Sequence, residues 1–210
     1  MKKVFLKGAL LALAGVGLMA GNAMATLVLP GSETSLNQIF SNKGWSIDSN
    51  ADQITNDTYW TLSEPDTGAW ASMIIEIAGN ANTNTFGIYD TLGTEVELMG
   101  GAANAGDKVA FTLTNNLLSG VFFDNNTPVS MFSNIAFSSV FGFYLGSGNN
   151  KFYSDFTKNN NSNDHMVSYA GTGSNGLSVG HHIIAFEDMY GLGDQDYNDM
   201  VLIRICAAYP

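Results

Sequence analysis

The chain has 210 residues, of which 8 are lysine or arginine and 19 are aspartate or glutamate, so its formal net charge is -11 at pH 7. Such an acidic chain lacks the basic surface that binds nucleic acid, and its charge also argues against docking on anionic lipid. A single cysteine excludes an internal disulfide framework.

The first 25 residues have the pattern of a secretory signal peptide. Three lysines lie within the first seven positions and precede an apolar run over residues 8–21, and the small-residue site Ala23-Met24-Ala25 follows. The apolar run is too short to form a stable membrane-spanning helix. We therefore expect residues 1–25 to be removed and residues 26–210 to be secreted, to the periplasm, the medium or the cell surface. The removed segment contains no acidic residue, so the mature chain is more acidic still.

The sequence predicts one short helix followed by a series of strands. Ser35 and Gln38 have the spacing of a capping box, and Gly44 ends the helix that these residues begin. After Trp45 the hydrophobic period changes to two, which is typical of half-buried strands. The predicted strands cover residues 73–78, 85–90, 95–98, 108–114, 118–123, 140–145, 151–156, 166–170, 181–187 and 200–206. Turns separate them and no linker divides residues 26–210, so we predict a single all-β domain: an antiparallel β-sandwich or jelly roll with one N-terminal helix.

The densest group of acidic side chains lies in residues 186–199, between two predicted strands. Five carboxylates occur there without any lysine or arginine. Crowded carboxylates repel one another unless a counter-charge is present, and Ca²⁺ takes six to eight oxygen ligands from flexible loops. The segment therefore predicts a calcium site, whose candidate ligands are Glu187, Asp188, Asp194, Asp196, Asn198 and Asp199.

Part of this segment has the spacing that opens an EF-hand loop. Asp194, Asp196 and Asn198 alternate as its first ligands do, but Asp199 stands at the position of the turn glycine and Ile205 at that of the bidentate glutamate. The remaining ligands would come from Glu187, Asp188 or Asp199. The alternative is a solvated acidic turn, while Mg²⁺ and Zn²⁺ are disfavoured because Mg²⁺ keeps its waters and Zn²⁺ needs histidine or cysteine.

The segment also resembles the signature of the exported bacterial domain of unknown function 4114. The resemblance rests on Phe186-Glu187-Asp188 followed by Gly193-Asp194-Gln195-Asp196-Tyr197-Asn198-Asp199, and extends in order over the stretches 75–79, 84–89, 141–145, 152–155 and 164–167. It implies a secreted or surface β-rich domain of adhesin-like or matrix proteins, without established catalysis. It further implies a calcium-binding loop at Asp194, Asp196, Asn198 and Asp199. The expected partners are surface polysaccharide or other exported proteins.

Two other functions are compatible with the sequence. A carbohydrate-binding module could stack sugars on Trp45, Trp60 and Trp70, although tryptophans in a sandwich commonly pack in the core. A secreted glycoside hydrolase needs two facing carboxylates, for which Glu76 and Glu187 are the candidates. No nucleophile elbow is present and nothing in the sequence brings the two glutamates together, so we expect no catalytic residues and no enzymatic activity.

Overall fold

Two antiparallel sheets packed face to face form the domain, which confirms the predicted all-β sandwich. The computed structural model describes residues 25, 27, 33–62, 68–76, 82–100, 103–160, 162–203 and 207–208. Ala25 is the one residue of the predicted signal peptide that is described, and Cys206 lies outside the described residues.

The chain passes back and forth between the two sheets, so strands that follow one another in the sequence often belong to different sheets. One sheet has the order β13-β1-β8-β3-β4, with β9 also paired to β8, and the other has the order β10-β11-β12-β2-β5-β6-β7. In chain order the strands are β1 (Trp60–Leu62), β2 (Gly68–Glu76), β3 (Thr85–Asp90), β4 (Glu95–Met99), β5 (Lys108–Thr114), β6 (Leu117–Asp124), β7 (Thr127–Ala136), β8 (Val140–Ser147), β9 (Asn150–Tyr153), β10 (Met166–Ala170), β11 (His182–Phe186), β12 (Met200–Ile203) and β13 (Ala207–Ala208).

The predicted helix forms as α1, which spans Leu36–Asn42. Ser35 caps it: the Ser35 side chain accepts a hydrogen bond from the backbone N–H of Gln38 at 3.3 Å. Lys43 ends the helix and is followed by Gly44, whose φ of +77° suits glycine best. A single 3-10 turn, Phe156–Lys158, follows β9.

The main hydrophobic core lies between the two sheets. Alternate side chains of β5 point into it, as the period of two predicted: Val109, Phe111 and Leu113 are buried while Ala110 and Thr112 are exposed. Rings from the opposite sheet complete this core, including Trp60, Phe86, Phe141 and Phe143. Directional ring contacts, such as that of Trp60 with Phe143 at 5.6 Å between centroids, add stabilisation beyond that from the buried area.

A second core covers the other face of the seven-stranded sheet. Leu36, Ile39 and Phe40 of α1 pack there against residues of β10, β11 and β12, and Tyr197 of the acidic segment joins them. This helix explains why all five residues of β11 are buried, since the strand is covered on both faces. The two cores fix the ends of β11 and β12, from which the acidic segment projects.

The sequence analysis missed the edge strand β7. Nearly all of its residues are exposed, so neither face of the strand is buried and its side chains do not alternate regularly between apolar and polar. The signal that could have found it is the pair Asn125 and Asn126, which both have positive φ and form the two-residue turn between β6 and β7. The same device, Asn115 and Asn116, joins β5 to β6.

Candidate metal centre

The acidic segment is the connection between two neighbouring antiparallel strands, β11 and β12. The last residues of this ladder to pair are Phe186 and Met200. In an antiparallel pair the residues just beyond the last pair lie opposite each other, so the register itself places Glu187 against Asp199. The site therefore begins with the strand pairing and not with the loop.

Three carboxylates meet at this point, and we call Glu187, Asp188 and Asp199 the inner acidic group. One oxygen from each lies within 4.8 Å of the others. Glu187 and Asp188 are buried and Asp199 is half-buried. The backbone N–H of Asp188 donates to Asp199 Oδ2 at 2.8 Å, which holds two members of the group together. Within the described part of the chain, no lysine or arginine forms an ion pair with them.

Glu187 is the most unusual member of the inner acidic group. Its side chain is 0% exposed, no N–H or hydroxyl donor in the described part of the chain reaches either carboxylate oxygen, and its carboxyl group interacts with that of Asp199. Burial and the Asp199 charge both raise the pKa of Glu187 far above its ordinary value. Burial likewise raises the pKa of Asp199, although the bond from Asp188 N–H opposes this. An ionised carboxylate buried without a donor or counter-charge is costly, so the raised pKa keeps Glu187 protonated at neutral pH unless a cation takes the place of that proton.

The other buried polar atoms that lack a partner belong to residues that lie in the acidic segment or contact it. Across the described residues these atoms are Asn84 Oδ1, Asn198 Oδ1 and the two Glu187 oxygens. Asn198 lies in the acidic segment, and Asn84 Nδ2 donates to Asp188 Oδ2 at 2.9 Å. All four unpartnered atoms are oxygens, which are the ligand type of a hard cation such as Ca²⁺.

A second group, the outer acidic group, consists of Glu33, Asp194 and Asp196. Their oxygens also lie within 4.8 Å of one another, but Glu33 and Asp194 are exposed. Burial, opposed by a hydrogen bond from the backbone of Asn198, raises the pKa of Asp196 to about 6. The Asn198 amide donates to Asp196 Oδ2 at 2.6 Å and to Thr34 O at 3.1 Å, which ties the segment before α1 to the loop.

The six predicted ligands are thus divided between two places. Glu187, Asp188 and Asp199 form the inner acidic group, Asp194 and Asp196 join Glu33 in the outer one, and Asn198 hydrogen-bonds to Asp196. Asp194 and Asp196, the first two positions of the EF-hand-like spacing, lie in the outer acidic group, and their charges are close enough to the inner acidic group to raise the pKa of Glu187.

The loop backbone turns back tightly onto the inner acidic group. Leu192, Gln195 and Tyr197 adopt positive φ, as do the two glycines of the loop. Gly193 passes so close that a Cβ there would lie 2.7 Å from Glu187 Oε1. Tyr197 anchors the loop, since its ring is fully buried and its hydroxyl donates to Asp164 O at 2.6 Å. The positive φ of Tyr197 is unusual for a bulky residue and is held by these contacts.

Sequence reasoning missed Asn84 and Glu33. Asn84 is separated from Asp188 by 104 residues, so only the packing of the two sheets brings them together. Its stretch is one of those that resemble the family, but nothing in the local sequence marks the amide as part of the site. Glu33 precedes the cap of α1. Because α1 packs in the second core together with Tyr197 of the acidic segment, Glu33 lies close to Asp194 and Asp196.

The residues behind the two other functions are placed differently. Trp60 is fully buried in the main core, where its indole N–H donates to Asp57 O at 2.7 Å, so it cannot stack on a sugar. Trp45 is half-buried and packs against the second core. The structure describes the backbone of Trp70 and Glu76 but not their side chains, so it does not test the alternative pairing of Glu76 with Glu187.

Comparison with known protein families matches residues 104–206 to the domain of unknown function DUF4114. This region belongs to that family. The match confirms the predicted membership and contains the whole acidic segment, whereas the family-like stretches 75–79 and 84–89 lie before it. No curated protein and no solved structure matches the chain significantly. The DUF4114 description assigns no activity, so the function must be argued from the site.

Proposed function

We propose that this protein is a secreted, non-catalytic calcium-binding β-sandwich module with a structural or adhesive role at the cell surface or in the extracellular matrix. The observation that carries the proposal is Glu187, a fully buried carboxyl group that no N–H or hydroxyl donor reaches and that lies beside the carboxyl groups of Asp188 and Asp199. Such an arrangement is expensive for the apo protein and favourable once a cation binds.

The donor set favours calcium over other metals. It consists of carboxylate and amide oxygens, and the nearby His165 directs its Nδ1 to the backbone oxygen of Glu187. Zinc prefers histidine and cysteine, and Mg²⁺ prefers few protein ligands and several waters. Ca²⁺ accepts six to eight oxygens in irregular geometry, which suits a group assembled from strand ends and a loop.

The proposed location and lack of catalysis have separate support. The first 25 residues carry the signal-peptide pattern, and no helix in the described part of the chain is long and apolar enough to cross a membrane. The inner acidic group is a buried cluster and not a pair of carboxylates facing across a cleft, as a glycosidase requires. A groove beside β5 and β6 is lined by apolar, glycine and hydroxyl-bearing residues without any carboxylate.

Calorimetric titration tests the proposal. Calcium added to chelator-treated protein should bind with a dissociation constant of about 10⁻⁴–10⁻³ M, the range of extracellular modules. Glu187→Gln should abolish the binding, whereas Glu97→Gln, the same change at an exposed position of β4, should leave it intact. Absence of binding to the wild-type protein at several millimolar calcium refutes the proposal. A glycan array with calcium and with chelator then tests whether the adhesive partner is a polysaccharide.

A further inference from the structure

We propose that Asn84 is a calcium ligand supplied by the opposite sheet, so that one ion at the inner acidic group fastens the two sheets together at this end of the sandwich. The inference rests on the proposed calcium binding and extends it to a residue outside the acidic segment. It also assigns the ion a mechanical role, which is to join two layers that are otherwise held by apolar packing and, at this end, by hydrogen bonds from Asn84 and Ser147 to Asp188.

The positions of the residues in the fold provide the first argument. Glu187 and Asp188 follow β11 and Asp199 precedes β12, both in the seven-stranded sheet. Asn84 immediately precedes β3, and Ser147 is the last residue of β8, both in the other sheet. The inner acidic group therefore lies where the ends of two strands from each sheet meet.

Polar contacts already cross between the sheets here. Asn84 Nδ2 donates to Asp188 Oδ2 at 2.9 Å, and Ser147 Oγ donates to the same oxygen at 3.4 Å. Asp188 is thus held from the opposite sheet by two side chains that are themselves 1% and 4% exposed. A carboxylate held in this way is positioned before any ion arrives, which lowers the entropic cost of binding.

The unpartnered oxygen of Asn84 is the decisive observation. With its NH₂ group bonded to Asp188, the amide keeps a buried Oδ1 that accepts nothing. The reverse orientation of the amide would set Oδ1 against the Asp188 carboxylate and is therefore excluded by repulsion. Both atoms share one carbon, so Oδ1 lies close to the Asp188 carboxylate of the inner acidic group. An amide oxygen is a normal calcium ligand, and coordination would satisfy the buried acceptor.

Coordination by Asn84 changes what calcium does to the fold. The packing between the sheets is apolar and therefore non-directional. An ion shared by Asn84 and the inner acidic group adds a directional bond between the first residue before β3 and the ends of β11 and β12. Calcium should then protect strands of both sheets from local opening, and not only the loop that carries the charges.

The test compares three variants of the full chain by calcium titration. Asn84→Ala should weaken calcium binding by about tenfold or more, since even residues behind the ligands commonly matter by 10–100-fold. Ser147→Ala removes a hydrogen bond to the same Asp188 oxygen without removing an oxygen ligand, and should change the affinity much less. Asn84→Asp restores an oxygen at this position, so it should bind calcium at least as tightly as wild type while being less stable in chelator.

Hydrogen exchange of β3 and β11 provides the second readout. In the wild-type protein calcium should slow exchange in both strands, and in Asn84→Ala it should slow exchange in β11 alone. If Asn84→Ala is unfolded, the behaviour of Asn84→Asp decides the question: loss of stability in calcium as well as in chelator overturns the inference. Wild-type affinity in Asn84→Ala also overturns it and leaves the proposed function standing, whereas a wild-type protein that binds no calcium refutes both.

Discussion

Replacing Glu187 by glutamine should remove the dependence of thermal stability on calcium. The folded protein would bind the ion and the unfolded chain scarcely would, so free calcium at a hundred times the dissociation constant adds about 2.7 kcal/mol to the free energy of unfolding. That is a sizeable part of the roughly 5–15 kcal/mol that stabilises most domains. For a domain of this length, each kcal/mol of added stability raises the melting temperature by about 2–4 °C, so calcium should raise the wild-type melting temperature by about 5–11 °C.

The same substitution should not harm the protein in chelator. Without an ion, the wild-type chain holds three carboxyl groups with oxygens within 4.8 Å of one another, and the fully buried Glu187 has a pKa raised to about 9, so it is uncharged at neutral pH. Glutamine is nearly the same size, carries no charge, and offers N–H groups that can donate to Asp188 or Asp199. The melting temperature of Glu187→Gln in chelator should therefore equal or exceed that of the wild type.

Calorimetric melts at neutral pH, in chelator, in millimolar calcium and in millimolar magnesium, provide the assay. Asp194→Asn is the matched control, because it removes one negative charge from the exposed outer acidic group and should keep most of the calcium-dependent rise. A full rise in Glu187→Gln would place the calcium elsewhere. If chelator does not lower the wild-type melting temperature, the acidic segment is only a solvated turn.

Three further outcomes are expected. Gly193→Ala should destabilise the protein by at least about 1 kcal/mol more than Gly191→Ala in paired melts, because both glycines have positive φ but only a Cβ at position 193 would meet other atoms, among them Glu187 Oε1 at 2.7 Å. Burial raises the pKa of Asp57 to about 8, so as the pH rises the unfolded chain loses this proton at a lower pH than the folded protein does. The free energy of unfolding should therefore fall between about pH 4 and 8, by at most about 1.4 kcal/mol per pH unit. Denaturant titrations of Asp57→Asn should lack this pH-dependent loss of stability. Edman sequencing of secreted protein should start at Thr26, and a start at Met1 would contradict the signal peptide.

The sequence predicts strands well where a strand has one buried face. In β5 the alternation of buried and exposed residues matches the alternation of apolar and polar side chains, and the predicted range equals the observed one. It fails for β7, an exposed edge strand whose side chains obey no burial pattern. The asparagine pairs that turn the chain at both ends of β6 were the better local signal, because they depend on backbone conformation and not on burial.

The candidate site, too, could be predicted only in part from the sequence. The composition of residues 186–199 predicted a cation, but the sequence could not show that the carboxylates divide between an inner and an outer group. That division depends on the register of β11 and β12, on where α1 packs, and on the approach of the opposite sheet at Asn84. Each is a contact between distant parts of the chain, to which no local spacing corresponds.

The strand ends, and not the spacing within the loop, therefore determine the inner acidic group. Glu187 and Asp199 face each other because Phe186 and Met200 are paired, and both of those residues are buried in the main core. Asp188 is fixed from the opposite sheet by Asn84 and Ser147, whose strands are ordered by the same core. The apolar packing thus forces three carboxylates together at a cost that it cannot itself relieve. A bound cation would relieve that cost, and it would do so only in the folded state, where these four strand ends meet.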